Sequence, residues 1–245
     1  MPDRLPFVIA LFIVAVLSGV TASVAGFGNG SLLTPLLATR VGMTAAVAVV
    51  AIPHALATAV RCWRLRAHID WNVLRSFGVL SAAGALIGAL LYSRASSRTL
   101  TLVLAVLLIA TAIAGLTDWT QRWRPNKVTA GAFGFASGLF GGVAGNQRGL
   151  RSAAPFAFPL TPLAFVATST AAGVLVDAAR VPVYIWRASE TLRALSPLIV
   201  VAAVGVLIGT VAGERVLLGL SRDWFRKIVS ALIGLLGVWL LVRYA

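Results

Sequence analysis

Two glycine-rich stretches interrupt apolar segments of this chain, and both carry groups suited to binding an anion. The first is 25–31 (Ala-Gly-Phe-Gly-Asn-Gly-Ser) and the second is 144–149 (Ala-Gly-Asn-Gln-Arg-Gly). Backbone N–H groups at helix N-termini, side-chain amides and arginines can replace the water around an anion. We predict one paired binding site. It contains the glycines Gly28, Gly30 and Gly149, the amides Asn29, Asn146 and Gln147, and the arginines Arg148 and Arg151.

Four ionisable residues fall within or at the ends of apolar segments, where charge is costly and often functional. Asp177 follows the apolar run 171–176, and it either carries a proton or neutralises Arg180, three residues later. We favour the ion pair. Histidine is the side chain whose ordinary pKa lies nearest neutral pH, so His54 is either a proton-relay residue or a hydrogen-bonded packing residue. Arg61 and Arg180 lie near predicted helix C-termini, as charge partners or as side chains that reach towards the membrane surface.

The composition is that of a membrane protein. Of 245 residues, 59% are hydrophobic and 11% are charged, and the mean hydropathy of +0.94 lies far above that of ordinary soluble domains. Much of the net charge of +14 comes from short connectors such as 61–66 and 222–227, as the positive-inside rule selects. Because no stacking aromatics or groove-reading motif accompany this charge, we expect no nucleic-acid partner.

Apolar runs predict an all-α polytopic membrane protein with about eight full transmembrane helices and two short half-helices. The half-helices, 31–39 and 150–158, follow the glycine-rich stretches and are too short to span a bilayer. The full helices are predicted at 7–24, 43–60, 71–91, 100–116, 128–143 and 161–181, and two more follow.

Similar residues recur at matched positions in the two halves of the chain. Asn29 and Asn146 are 117 residues apart, and Gly88 and Gly209 are 121 residues apart. Broken helices at corresponding positions of two repeats are typical of secondary transporters, which bind substrate at the repeat interface near the middle of the bilayer. The sequence therefore predicts a transporter.

The matched positions divide the chain into three parts. These are a first transmembrane repeat at 1–117, a linker at 118–127, and a second transmembrane repeat at 128–245. The relative orientation of the repeats depends on the first half-helix. If it is re-entrant, the repeats are parallel, whereas if it is a fifth, short crossing, they are inverted.

Two other functions compete with coupled transport. A passive anion channel would use the same site without protons, and Ser137-Gly138 suggests an intramembrane hydrolase. The hydrolase interpretation fails in detail: a G-x-S-G pattern needs a glycine two residues before the serine, Gly134 is one residue too far from Ser137, and both histidines come earlier in the chain. Cys62 is the only cysteine, and no His, Asp and Glu cluster has metal-ligand spacing. We therefore expect no catalytic residue, no metal and no cofactor, and we interpret the chain as a non-enzyme.

The chain resembles the sulfite exporter TauE/SafE family, also called the 4-toluene sulfonate uptake permease family, over essentially its full length. Residues 26–30 (Gly-Phe-Gly-Asn-Gly) followed by Pro35 are similar to the family's G-x-G-G-G…P. Residues 134–153 are similar to a subgroup with the pattern G-x-Q-G-x-L-R-S-A. Asn29 and Arg148 stand where those patterns have glycine, and they add polar bulk to the predicted site. The resemblance implies export or uptake of small organic or sulfur anions, such as sulfite or sulfonates, coupled to protons.

The expected partners are a small anionic substrate and the lipid bilayer of the cell (inner or plasma) membrane, which the chain crosses several times. Gly84 and Gly88, with their counterparts Gly205 and Gly209, form G-x-x-x-G faces for close helix packing. These faces would serve either a homodimer or packing within one chain.

We expect Arg151→Ala to abolish anion binding and to leave the protein folded, because the substitution removes a forked donor from the predicted site. The measurement is the rise in apparent melting temperature of detergent-purified protein with sulfite, sulfoacetate or an aryl sulfonate, since a ligand selective for the native state stabilises it. Equal stabilisation of the variant and the wild type would exclude Arg151 from the site.

Overall fold

The computed structural model describes residues 4–24, 29–92, 94–117, 126–145, 160–216 and 222–244. These residues form helices and short connectors, with no strand among them, so the all-α prediction is confirmed. In chain order the helices are α1 (Arg4–Val24), α2 (Asn29–Val41), α3 (Met43–Leu65), α4 (Trp71–Tyr92, with a π-helical turn at Leu74–Gly78), α5 (Ser97–Thr117), α6 (Lys127–Ala144), α7 (Pro162–Arg187), α8 (Ser189–Ala194), α9 (Ser196–Val216) and α10 (Arg222–Tyr244).

Seven of the described helices are long and apolar enough to cross a membrane, and the apolar part of α6, Val128–Ala144, is shorter. Large apolar side chains such as Leu235 and Val242 are exposed on the outer faces of the helices. In a bilayer these faces meet hydrocarbon, which is as apolar as the side chains themselves. The prediction of a polytopic membrane protein is confirmed.

The observed helix bounds correct the predicted ones in the second half. The helix predicted to end near 181 continues to Arg187. Pro182 removes one backbone hydrogen bond, but the next two residues, Val183 and Tyr184, are buried, and their packing sustains the helix. The first predicted half-helix is α2, of 13 residues. The second, at 150–158, lies outside the described residues, as does most of the predicted linker.

Close packing of helices joins the two halves of the chain. Helix α1 packs along α9, and α4 packs along α6. A Cβ built on Gly209 would lie 2.0 Å from the Val16 carbonyl oxygen, and one built on Gly88 would lie 2.1 Å from that of Leu139. The G-x-x-x-G faces therefore pack within the chain, and the homodimer stays a prediction that these faces do not support.

Contacts along the paired helices define their relative directions. Helices α5 and α10 are antiparallel, since Arg98 at the start of α5 donates to Tyr244 at the end of α10 (2.9 Å). Helices α3 and α7 are also antiparallel: His54 contacts Asp177, while Asp70, beyond the end of α3, contacts Thr168 nearer the start of α7. In these two pairs, helices at matched positions of the two halves run in opposite directions, as inverted repeats would require when α2 counts as a crossing. The duplication itself stays a prediction.

We expect Gly209→Ala to destabilise the protein by about 1–3 kcal/mol, because the added methyl group has no space against the α1 backbone. The measurement is the apparent melting temperature in detergent. Gly131→Ala is the matched control, since its Cβ would meet only the flexible end of Leu80. Equal melting temperatures of Gly209→Ala and Gly131→Ala would contradict the packing described here.

Candidate functional site

A buried cluster of ionisable side chains joins α3 to α7. His54 on α3, and Asp177 and Arg180 on α7, are only 4%, 3% and 1% exposed. His54 Nδ1 lies 2.8 Å from Asp177 Oδ2, and Arg180 Nε donates to Asp177 Oδ1 at 2.9 Å. One carboxylate thus bonds a cation from its own helix and an imidazole from the opposite half of the chain.

Helix geometry and apolar surroundings explain this arrangement. Asp177 and Arg180 are three residues apart, so their side chains project from the same face of α7. Ala172 and Val176, two turns and one turn before Arg180 on the same helix, are fully buried, and an ion pair is much stronger in buried surroundings than in water. The predicted ion pair between Asp177 and Arg180 is present, with a distance of 2.8 Å from Arg180 Nη2 to Asp177 Oδ1.

The predicted position of Arg180 near a helix end is wrong. Helix α7 continues for seven more residues, and the Arg180 side chain is buried rather than directed to the membrane surface. The guanidinium does not need water because protein acceptors replace it. Besides Asp177, its Nη1 donates to the Gly141 carbonyl oxygen at 2.6 Å.

The bond to Gly141 connects the cluster to the C-terminal end of α6. Gly141 O also accepts from the backbone N–H of Gly145, which closes the helix in a left-handed conformation (φ 74°). The adjacent carbonyl, Gly142 O, accepts from the Tyr184 hydroxyl. Carbonyls at a helix end need such partners, and here both side chains come from α7. The second glycine-rich stretch begins immediately beyond this cap.

The first glycine-rich stretch leads into α2, whose N-terminal residues are buried. Asn29, Gly30 and Ser31 form its first turn, and the Ser18 hydroxyl donates to Asn29 Oδ1 at 3.4 Å. One turn further on, the buried Thr34 hydroxyl has no hydrogen-bond partner among the described residues. Backbone donors at a helix N-terminus and an unsatisfied hydroxyl suit a polar ligand at membrane depth.

The end of α6 lies beside α2. A Cβ built on Gly145 would contact Val47 and lie 3.9 Å from Thr34 Oγ1. The chain therefore enters the second stretch next to the first half-helix. The remaining predicted binding residues lie outside the described residues: Gly28, Asn146, Gln147, Arg148, Gly149 and Arg151.

The Arg61 side chain allows the depth of the ionisable cluster in the helix bundle to be compared with that of Asn29. Its Nη1 donates to the Ala22 carbonyl oxygen at 2.6 Å, satisfying the last turn of α1. His54 lies seven residues before Arg61, or about 10 Å along α3, and Ser18 lies four residues before Ala22, or about 6 Å along α1. The ionisable cluster and Asn29 therefore lie at similar depths. Arg61 itself binds a helix end.

Tyr184 and its neighbour Tyr92 were not among the residues predicted for the site. Their rings pack edge to face, with centroids 4.7 Å apart, and Tyr184 is buried beside Arg180. Spacing could have identified Tyr184, because it lies seven residues after Asp177 and four after Arg180, and residues at these spacings share a helix face. The position of Tyr92 could not be predicted from spacing, because only the packing of α4 against α7 places it beside Tyr184.

Comparison with known protein families gives a match. A family model described as TauE, sulfite exporter TauE/SafE, matches residues 11–240, which is nearly the whole chain. No curated protein matches the chain, and no solved structure matches it either.

We expect Arg180→Gln to destabilise the protein by about 3–5 kcal/mol, because it leaves the Asp177 carboxylate buried without its cation. Adding Asp177→Asn should recover much of the loss, since the double variant no longer holds an uncompensated charge. Apparent melting temperatures in detergent test both statements. Arg187→Gln, an exposed arginine on the same helix, is the control. Additive losses in the double variant would contradict the coupling.

Proposed function

Because the chain belongs to the sulfite exporter TauE/SafE family, we propose that it is a secondary transporter that moves a small sulfur-containing anion together with a proton. The family assigns the general class, a multi-pass membrane transporter. The anion site, the coupling to protons and the residues that perform each step are our proposal.

The observation that carries the proposal is the buried cluster of His54, Asp177 and Arg180. An ion pair between Asp177 and Arg180 alone would have no net charge. His54, 2.8 Å from the same carboxylate, adds an imidazole, a side chain that can both accept and donate a proton. Titratable groups buried at membrane depth are costly to keep, and they commonly form proton relays.

The charge of the cluster links protons to anions. With Asp177 ionised and His54 neutral, the cluster with Arg180 has no net charge. One added proton, on either His54 or Asp177, makes the net charge positive, and this attracts an anion strongly in a medium of low dielectric constant. Binding of the proton and binding of the anion therefore favour each other, as linkage requires.

Hydrogen bonding supplies a route from the cluster to the anion site. Arg180 bonds both Asp177 and the Gly141 carbonyl at the end of α6. Protonation of Asp177 weakens its attraction for Arg180, and the guanidinium is then free to shift towards the arriving anion. Because Gly141 accepts from Gly145 as well, such a shift changes the cap from which the second glycine-rich stretch starts.

Alternating access would use the packing between the halves. Helices α3 and α7 come from opposite halves and meet at the cluster, so changing its charge alters the contact between the halves themselves. A rocking motion of one half against the other around a fixed central site is the usual mechanism in transporters with inverted repeats.

We expect Asp177→Asn to reduce anion-driven proton movement by about tenfold or more, because the amide cannot exchange a proton. Purified protein in liposomes containing a pH-sensitive dye is given sulfite, sulfoacetate, taurine or an aryl sulfonate. Acidification of the compartment that gains the anion supports cotransport, and alkalinisation would indicate exchange instead. His54→Gln should show a loss in the same direction.

Asp70→Asn is the matched control for this experiment. Asp70 accepts backbone N–H bonds at the start of α4, and asparagine serves that position equally well. Anion flux that proceeds without any pH change, and that Asp177→Asn leaves intact, would contradict coupling and support the passive channel.

A further inference from the structure

A cavity with two arginines at its rim lies away from the ionisable cluster. It has a volume of about 460 Å³ and opens between α2, α3, α5 and α10, where Arg98 and Tyr244 meet. Its inner wall includes the buried residues Pro35 and Met43. The cavity thus extends from an exposed rim into the interior of the helix bundle.

The charged side chains that line this cavity, among the described residues, are two arginines. Arg98 and Arg243 line it, and none of the described residues that line it is aspartate or glutamate. Arg98 is anchored through its Nε to the Tyr244 carbonyl. The Arg243 guanidinium lies over the Trp239 ring, with its Cζ 5.1 Å from the centroid. Two guanidiniums at one rim favour an anionic ligand.

Four helix ends meet at the cavity. Helix α5 starts at Ser97, and α3 starts at Met43 after Gly42 (φ 79°), which has no side chain to cap the first turn. The C-terminal ends of α2 (Val41) and α10 (Tyr244) lie there as well. Because helix N-termini carry partial positive charge and C-termini partial negative charge, these dipoles largely offset each other, and the attraction for an anion rests on the two arginines.

The other walls are apolar. Trp239 and Leu240 of α10 face Pro35 and Met43 across the cavity. The volume lies within the range of about 300–1,000 Å³ found for sites of organic ligands, and it far exceeds the size of a bare inorganic oxyanion. The cavity therefore suits an anion with an apolar or aromatic body.

Helix α2 connects the cavity to the proposed transport site. Pro35 and Thr39 line the cavity from α2, and the preceding residue, Thr34, carries the buried hydroxyl without a partner among the described residues. Asn29, at the start of the same helix, belongs to the first glycine-rich stretch. An anion in the cavity is thus only about two helical turns from that stretch.

We propose that this cavity is a vestibule that binds an organic sulfonate, through Arg98 and Arg243 at its rim and Trp239 on its wall, before the anion reaches the central site. The proposal rests on the function proposed above, and it names a site on the path of the same substrate.

The test uses the double variant Arg98→Gln/Arg243→Gln in liposomes of phosphatidylcholine, with benzenesulfonate as substrate. We expect KM to rise about tenfold, with the maximal rate retained, because the vestibule contributes binding and not translocation. Trp239→Ala should raise KM for benzenesulfonate but not for sulfite. Arg187→Gln is the control, since its arginine also stacks on a tryptophan (4.2 Å) but does not line the cavity.

An unchanged KM in the double variant would overturn the proposal. So would an effect that appears only when the liposomes contain phosphatidylglycerol, since that result would assign the arginines to a lipid headgroup. If the wild type transports no anion, the proposed function fails, and calorimetric binding of benzenesulfonate to detergent-purified protein then decides. Weaker binding by the double variant would support the vestibule, and equal binding would refute it. Arg98→Lys/Arg243→Lys should restore part of the affinity, because it restores the charge.

Discussion

The carboxylate of Asp177 is the group on which the organisation of this protein depends. In a medium that offers no water, it must be neutralised by protein groups, and the structure supplies Arg180 from the same helix and His54 from the opposite half. That requirement fixes how α3 and α7 pack against each other. Arg180 Nη1 also donates to the Gly141 carbonyl at the end of α6. The charge of the cluster therefore acts on the helix end from which the second glycine-rich stretch continues.

Glycine residues allow close packing at two helix interfaces that join the halves of the chain. Along α1 with α9, and along α4 with α6, backbone approaches backbone so closely that a single methyl group has no space. Apolar side chains gain little by leaving lipid for another helix, so close packing and interhelical polar contacts must hold the halves together. Ser23, which donates from α1 to the Thr210 carbonyl of α9, is one such contact. The halves are thus interleaved rather than joined end to end.

The two arginine-containing sites differ in a way that suits their proposed roles. Arg180 is fully enclosed, and its partners are set by one geometry, as a coupling element requires. Arg98 and Arg243 lie at an exposed rim, one held by a backbone carbonyl and the other by an aromatic ring. Exposed charges attract a ligand only weakly, because water and salt screen them. An uncompensated buried charge is costly, so a buried charged group distinguishes one protonation state of its partner from another. A transported anion needs both kinds of interaction, because it must be captured and then released.

Several features follow from the sequence alone. Long apolar runs specify membrane-crossing helices because each residue adds a fixed rise, and α1, α3 and α5 lie close to their predicted ranges. The spacing of Asp177 and Arg180 predicts their ion pair, since residues three apart share a helix face. Only the tertiary structure decided that His54 joins them, that Arg180 is buried within α7 rather than at its end, and that Tyr92 contacts Tyr184. These contacts join residues more than 90 positions apart, and no local periodicity encodes which helices become neighbours or in which direction they run.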